Sequence, residues 1–301
     1  MSATGLTPLS RPSDRLTRRR IVNRAMELLA WLAAAIAVAI LVIVVWSVAK
    51  RGASAINLDL FTKTQNALAQ FGIGNAKQGL ANAFVGSIVI VGIATLMALP
   101  FGILVAIYVN EFAPRAIRGG VSLVLDVLNG IPAIVIGIFV FGLIVAGHGQ
   151  SGLAGSFALA VLMLPLVARA TIEVLALVPD SLREASLGLG VPRWRTTLGI
   201  VLPQTIGGVV TGAVLAVARV AGETAPLLFT TSVVGTQMNW NPTHPLFSVP
   251  LAIFELSEAD DPSSHALAWA AAFVLLMFIL LTSLTARWLA NRSRRKIGRV
   301  A

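Results

Sequence analysis

No cysteine occurs anywhere in the 301 residues. Disulfides, thiolate metal ligands and cysteine nucleophiles are therefore excluded, and the redox compartment stays undetermined. Charge is also scarce: Asp, Glu, Lys and Arg make up 12% of the chain, against about 25% in a soluble domain. The phosphate-cradling pattern Gly-x4-Gly-Lys-Ser/Thr is missing, so the chain does not bind ATP in that way. His-Glu-x2-His is missing too, and the three histidines, His148, His244 and His265, are scattered. That argues against a zinc site. Neither a soluble domain nor an internal repeat can be read.

What is present is apolar. Hydrophobic residues make up 56% of the chain, with a mean hydropathy of +0.85. The net charge of +10 could suggest a nucleic-acid partner. Its placement argues otherwise. Residues 1–24 hold six arginines and one acid, Asp14, and residues 287–301 hold six basic residues and no acid. Basic ends beside apolar runs suit an anionic lipid leaflet on the cytoplasmic side. Two cytoplasmic ends require an even number of crossings.

Six apolar runs fit that count. The first, 28–49, is uncharged and closed by Lys50 and Arg51. About 20 apolar residues cross a hydrocarbon core. Ser47-Val48-Ala49 looks like a signal cleavage site, but the run is too long for a signal h-region. Residues 50–82 form a slightly basic outer segment with Asp59, Lys63 and Lys77. The second span is 83–109 with Pro100 inside; the third is about 121–146, carrying Asp126 and the hinge candidate Asn129-Gly130-Ile131-Pro132. The fourth is about 153–178, with Pro165, Arg169 and Glu173. The fifth is about 204–225, with Arg219 and Glu223, and the last is 266–286. The prolines are expected to kink their helices. The stretch 224–265 reads as an outer loop with four acids and neither Lys nor Arg, its apolar part 249–256 lying in the interface. Gly208-x3-Gly212 offers a close-packing face. The predicted fold is thus all-α and polytopic: a basic tail 1–27, a transmembrane domain 28–286, and a basic tail 287–301.

Charges inside spans are costly, about 2.5–3.5 kcal/mol each on insertion scales, and so call for an explanation. Arg169 and Glu173 are four residues apart, as are Arg219 and Glu223. That spacing puts each pair on one helix face, within reach of each other. Two readings stay open. The pairs could be internal glue between helices. Alternatively they could line an anion path, since guanidinium forks suit tetrahedral oxyanions. On the second reading an anion exchanges with Glu173 and Glu223 as the arginines' partner. Asp126, near the inner end of its span, either snorkels, caps, or joins the path.

Between the fourth and fifth spans, residues 184–203 read Glu-Ala-Ser-Leu-Gly-Leu-Gly-Val-Pro-Arg-Trp-Arg-Thr-Thr-Leu-Gly-Ile-Val-Leu-Pro. The stretch predicts a short helix over 181–187, a glycine break at Gly188 and Gly190, and a new helical start at Pro192. Glu184, Ala185, Ser186, Gly190, Ile200, Leu202 and Pro203 together resemble the coupling loop of the membrane subunits of bacterial ABC importers, with Ser186 where a second Ala is usual. The segment Ala218-Arg219-Val220-Ala221-Gly222-Glu223-Thr224-Ala225-Pro226-Leu227-Leu228 is similar to the permeases of phosphate importers, of the A type.

The resemblance implies the six-helix fold of a type I ABC importer permease in the bacterial inner membrane, both termini cytoplasmic. It implies that loop 181–203 docks on a cytoplasmic ATP-binding subunit, and that Arg219, Glu223, Arg169 and Glu173 line a phosphate path. The implied partners are a second, related permease, two ATP-binding subunits holding ATP and Mg2+, and an extracytoplasmic phosphate-binding protein. The chain itself would bind no cofactor and catalyse no covalent step. The rivals are the same architecture for sulfate or molybdate, a proton-coupled secondary transporter, and an intramembrane hydrolase using Asp126 and Glu173. The hydrolase leaves the coupling loop unexplained.

Overall fold

The computed structural model describes residues 14–65, 78–232 and 237–297. Residues 1–13 of the N-terminal basic tail, residues 298–301 of the C-terminal one and Lys77 lie outside the described residues. There is no strand among the described residues.

The chain divides into two compact units, 1–50 and 51–301. The first consists of most of one long helix, α1 (Asp14–Gly52), which is apolar and long enough to cross a membrane. The second begins with a short α2 (Leu58–Thr62), whose first turn is capped by the Asn57 side chain accepting from the Leu60 amide at 3.0 Å. Its central pair is α3 (Ala81–Ile107) and α7 (Gly152–Leu175).

Between them the expected third span is broken. α4 (Arg115–Gly130) meets α5 (Ala133–Val140) at a 95° bend, and α5 runs on into α6 (Ala146–His148). Ile131 precedes proline and is extended, at φ −68° and ψ 129°. Proline disfavours a helical residue before it, so the helix ends here rather than curving. Pro100 and Pro165, by contrast, lie inside α3 and α7 without ending them. The six-span expectation holds if the bent pair counts as one crossing; otherwise five helices qualify by length and composition.

Beyond α7 come α8 (Asp180–Gly188), α9 (Arg193–Thr196) and α10 (Leu202–Val220). A wide π-turn over Thr197–Val201 joins α9 to α10, with the Leu202 amide donating to Thr197 O. Pro203 cannot donate and crowds the preceding turn, and the wider turn absorbs this. α11 (Ala225–Thr230), α12 (Val249–Glu258) and α13 (Pro262–Ile297) complete the chain.

Two expectations about the 224–265 stretch are corrected. It is not an open loop, because α11 packs on α5 and α12 packs on α13 and α3. Nor does 249–256 lie in the interface. Val249, Leu251, Ala252 and Leu256 are buried in the main core with Ile90, Leu159 and Met163. The Val249 amide donates to Ser87 Oγ at 2.8 Å, which fixes the start of α12.

In a membrane apolar side chains gain little by leaving lipid, so close packing holds such helices together. The small residues do this here. A Cβ on Gly208 would meet Val174 at 2.5 Å, and one on Gly212 would meet Ala170 at 2.6 Å. The Gly208-x3-Gly212 face is therefore where α10 seats on α7.

Candidate functional site

The elbow between α7 and α10 is built by local rules. α8 ends with the Gly190 amide donating to Leu187 O (2.9 Å) and the Val191 amide to Ser186 O (3.2 Å). This double closure needs a left-handed residue, and Gly190 supplies it at φ +80°. Pro192 caps α9 and stands just before its first turn rather than in it. Ser186 is buried, its hydroxyl 2.9 Å from that of Thr196. The departure from the usual Ala therefore cross-links α8 to α9. Glu184 and Ala185 are exposed, Ile200 and Leu202 half-buried, and Pro203 exposed at the start of α10. Val201, between them, packs on Ala106, Leu175 and Val178. Leu189 and Trp194 point outward, 84% and 53% exposed. Arg195 lies over the Trp194 ring at 5.0 Å. Apolar groups presented on a water-side bend suit a protein partner.

One residue of the elbow was not legible as special: Arg183. Its guanidinium donates to Glu111 Oε1 (2.9 Å) and Oε2 (3.2 Å), to Leu175 O (3.0 Å), to Val178 O (2.6 Å) and to Asp180 Oδ1 (3.0 Å). It thus closes the C-terminal end of α7 and ties α8 to the π-turn Tyr108–Phe112 that ends α3. The fork on Glu111 raises the Arg183 pKa above its ordinary value, burial opposing. The clue in the sequence was faint: a lone acid in the turn after the second span. Beside this clamp is a cleft of about 490 Å³, lined among others by Arg118, Arg183, Arg193 and Thr197.

Inside the spans the charges are arranged differently from expectation. Arg169 does not pair with Glu173. It forms its ion pair with Asp126 of α4 and donates to Ser122 O at 2.8 Å. A four-residue spacing permits a pair on one helix, but α4 brings a carboxylate nearer. Glu173 is exposed on α7 and has no ion pair among the described residues. The Asp126 side chain is 63% exposed and that of Arg169 26%, while Arg169 Nε is buried without a hydrogen-bond partner. The pair therefore sits at an edge, open on the Asp126 side.

Arg219 and Glu223 make no ion pair either among the described residues. α10 ends at Val220, and the Gly222 and Glu223 amides close turns on Arg219 O and Val220 O. Glu223 is therefore off the helix, and the four-residue argument fails for it. The two nevertheless line one cavity of about 80 Å³ with Asn129 and Ile131. The corner of the broken span thus meets the end of α10 at these two charges. Among the described residues no cluster of His, Asp and Glu could hold a metal ion.

The chain belongs to the family of binding-protein-dependent transport system inner membrane components, which matches residues 98–295. Its curated relatives narrow the class. It is 36% identical over 271 residues to the phosphate transport system permease protein PstA of Haemophilus influenzae, covering 89% of this chain and 94% of that protein. It is 38% identical over 282 residues to PstA of Xylella fastidiosa, covering 92% and 95%. Among solved structures, a bacterial ABC transporter involved in the import of alginate matches with a TM-score of 0.59 at 17% identity, over 92% of this chain and 99% of that one. The inward-facing MetNI methionine ABC transporter matches at 0.55 and 16%, over 70% and 93%. The fold is that of type I ABC importer permeases, as the elbow predicted.

Proposed function

We infer that this chain is the permease subunit of an ATP-driven phosphate importer, forming one half of the anion path. The near full-length similarity to phosphate permeases carries the reading, and the geometry gives it a site. The elbow is the grip for a cytoplasmic ATP-binding subunit, with Leu189 and Trp194 as its apolar contacts and Glu184 as its exposed charge. ATP and Mg2+ belong to that subunit, two copies of which serve this chain and a related second permease. An extracytoplasmic phosphate-binding protein delivers the anion. Counting the bent pair as one crossing makes the number of crossings even, which supports both termini lying on the elbow's side, taken as the cytoplasm.

Phosphate enters the cavity between Arg219 and Glu223. The guanidinium takes two phosphate oxygens. Glu223 accepts from the phosphate's own O–H, a proton that sulfate lacks at neutral pH. At the second station the anion displaces Asp126 from Arg169, so Asp126, not Glu173, is the resting counter-ion. Glu173 stands one turn nearer the elbow, on the way to the cleft that Glu111 and Asp180 also line. A counter-ion that must be displaced keeps binding weak enough for release.

The test is uptake of labelled phosphate by the assembled transporter in proteoliposomes. Arg219→Gln and Arg169→Gln should each abolish uptake while the complex still assembles. Unchanged uptake in either variant would remove that arginine from the path. Sulfate that competes as well as phosphate would move the chain to another oxyanion.

A further inference from the structure

The function so far uses only Asp126 of α4, yet α4 carries five polar residues in a regular series: Arg115, Arg118, Ser122, Asp126 and Asn129. At about 100° per residue they fall within an arc of about 80° on one side of the helix. The exposed Leu123, Val124 and Val127 lie outside that arc. A helix with one narrow polar stripe on an otherwise apolar surface, within a candidate span, turns that stripe away from hydrocarbon.

Two members of the series lie at separate cavities. Arg118 lines the large cleft beside the elbow, with Arg183 and Arg193. Asn129 lines the small cavity with Arg219 and Glu223. Between Arg118 and Asn129 the helix rises about 17 Å, roughly half a hydrocarbon core. Between them, nearer Asn129, Asp126 is held by Arg169, whose buried Nε has no hydrogen-bond partner. The series therefore joins two cavities, with one arginine along it short of an acceptor.

We propose that the polar face of α4 is the wall of the water-filled inner exit, along which the oxyanion passes from Arg219 to the cleft beside the elbow. Asn129 meets it first and donates through its amide. Arg169 takes it over as Asp126 swings away. Arg118 and Arg115 draw it out. This rests on the oxyanion-importer reading above.

The chain's freedom from cysteine makes the test direct. Single variants Ser122→Cys and Asn129→Cys on the polar face, and Val124→Cys and Val127→Cys on the apolar face, are placed in the assembled transporter in inside-out vesicles. A membrane-impermeant, negatively charged thiosulfonate is added, and modification of this chain is followed by mass. The polar-face positions should react at least tenfold faster than the apolar ones. Inorganic phosphate should slow Asn129→Cys at least threefold. Equal rates on the two faces, or no reaction at Ser122→Cys and Asn129→Cys, would overturn the proposal. So would an Asn129→Cys rate unchanged by both phosphate and sulfate, which is how a helix lying flat on the membrane surface would behave. Protection by sulfate and not by phosphate would uphold the exit wall and sink the phosphate assignment alone.

Discussion

Replacing Arg183 with Gln removes the clamp between α8 and the end of α3. The side chains of Arg183 and Glu111 are 17% and 8% exposed. Losing one member of a buried ion pair costs about 3–5 kcal/mol, because the other charge is stranded. Residual exposure puts this pair at the low end, about 3 kcal/mol. Glu111 keeps one neutral donor, Asn110 Nδ2 at 2.7 Å, and the carbonyls of Leu175 and Val178 lose theirs. About 3 kcal/mol is roughly a hundredfold in an equilibrium. Backbone hydrogen exchange in α8 should therefore speed up by about two orders of magnitude in Arg183→Gln. The paired helices α3 and α7 should hold their protection. On the coupling role proposed for the elbow, uptake per ATP hydrolysed should fall as well. Glu111→Gln in the same chain should cost little more, as it removes the stranded charge, and a double-mutant cycle should show coupling of at least about 1 kcal/mol. Exchange in α8 within threefold of the parent, or fully additive effects, would show that the clamp does not anchor the elbow.

Two further outcomes follow from the same geometry. Gly190→Ala places a side chain at φ +80° and should destabilise the elbow by about 1 kcal/mol, read as faster exchange confined to α8 and α9; no change would mean that the turn is not closed as described. Asp261, before Pro262 of α13, accepts from the hydroxyls of Ser263 and Ser264 and the Ser264 amide, which hold its carboxyl below the ordinary aspartate value of 3.8. Its folded pKa is depressed, so its contribution is full above the ordinary value and is lost as pH falls through the folded one. Exchange at the Ser264 amide, corrected for intrinsic rate, should rise across that window, and Asp261→Asn should flatten the profile.

The sequence by itself determined the elements that depend on near neighbours. Long apolar runs gave the spans, three of them in spite of internal charges, because mean hydropathy over about 20 residues decides which segments enter lipid. The elbow was legible because its glycine turn, its proline start and its Ile-x-Leu-Pro close lie within 20 residues and obey local backbone rules. The corner at 129–132 showed as a hinge because Pro132 constrains Ile131.

Tertiary structure alone decided who faces whom. Arg169 had an acid at four residues on its own helix, yet pairs with Asp126 on another. Arg183 meets an acid 72 residues away. Residues 249–256 looked like an interfacial stretch and are core. Sequence distance hid the second; the first and third share a reason. In a chain made for lipid, the face toward hydrocarbon and the face toward a neighbouring helix are both apolar, so periodicity does not separate them. Only the packed helices show which carboxylate reaches which guanidinium first.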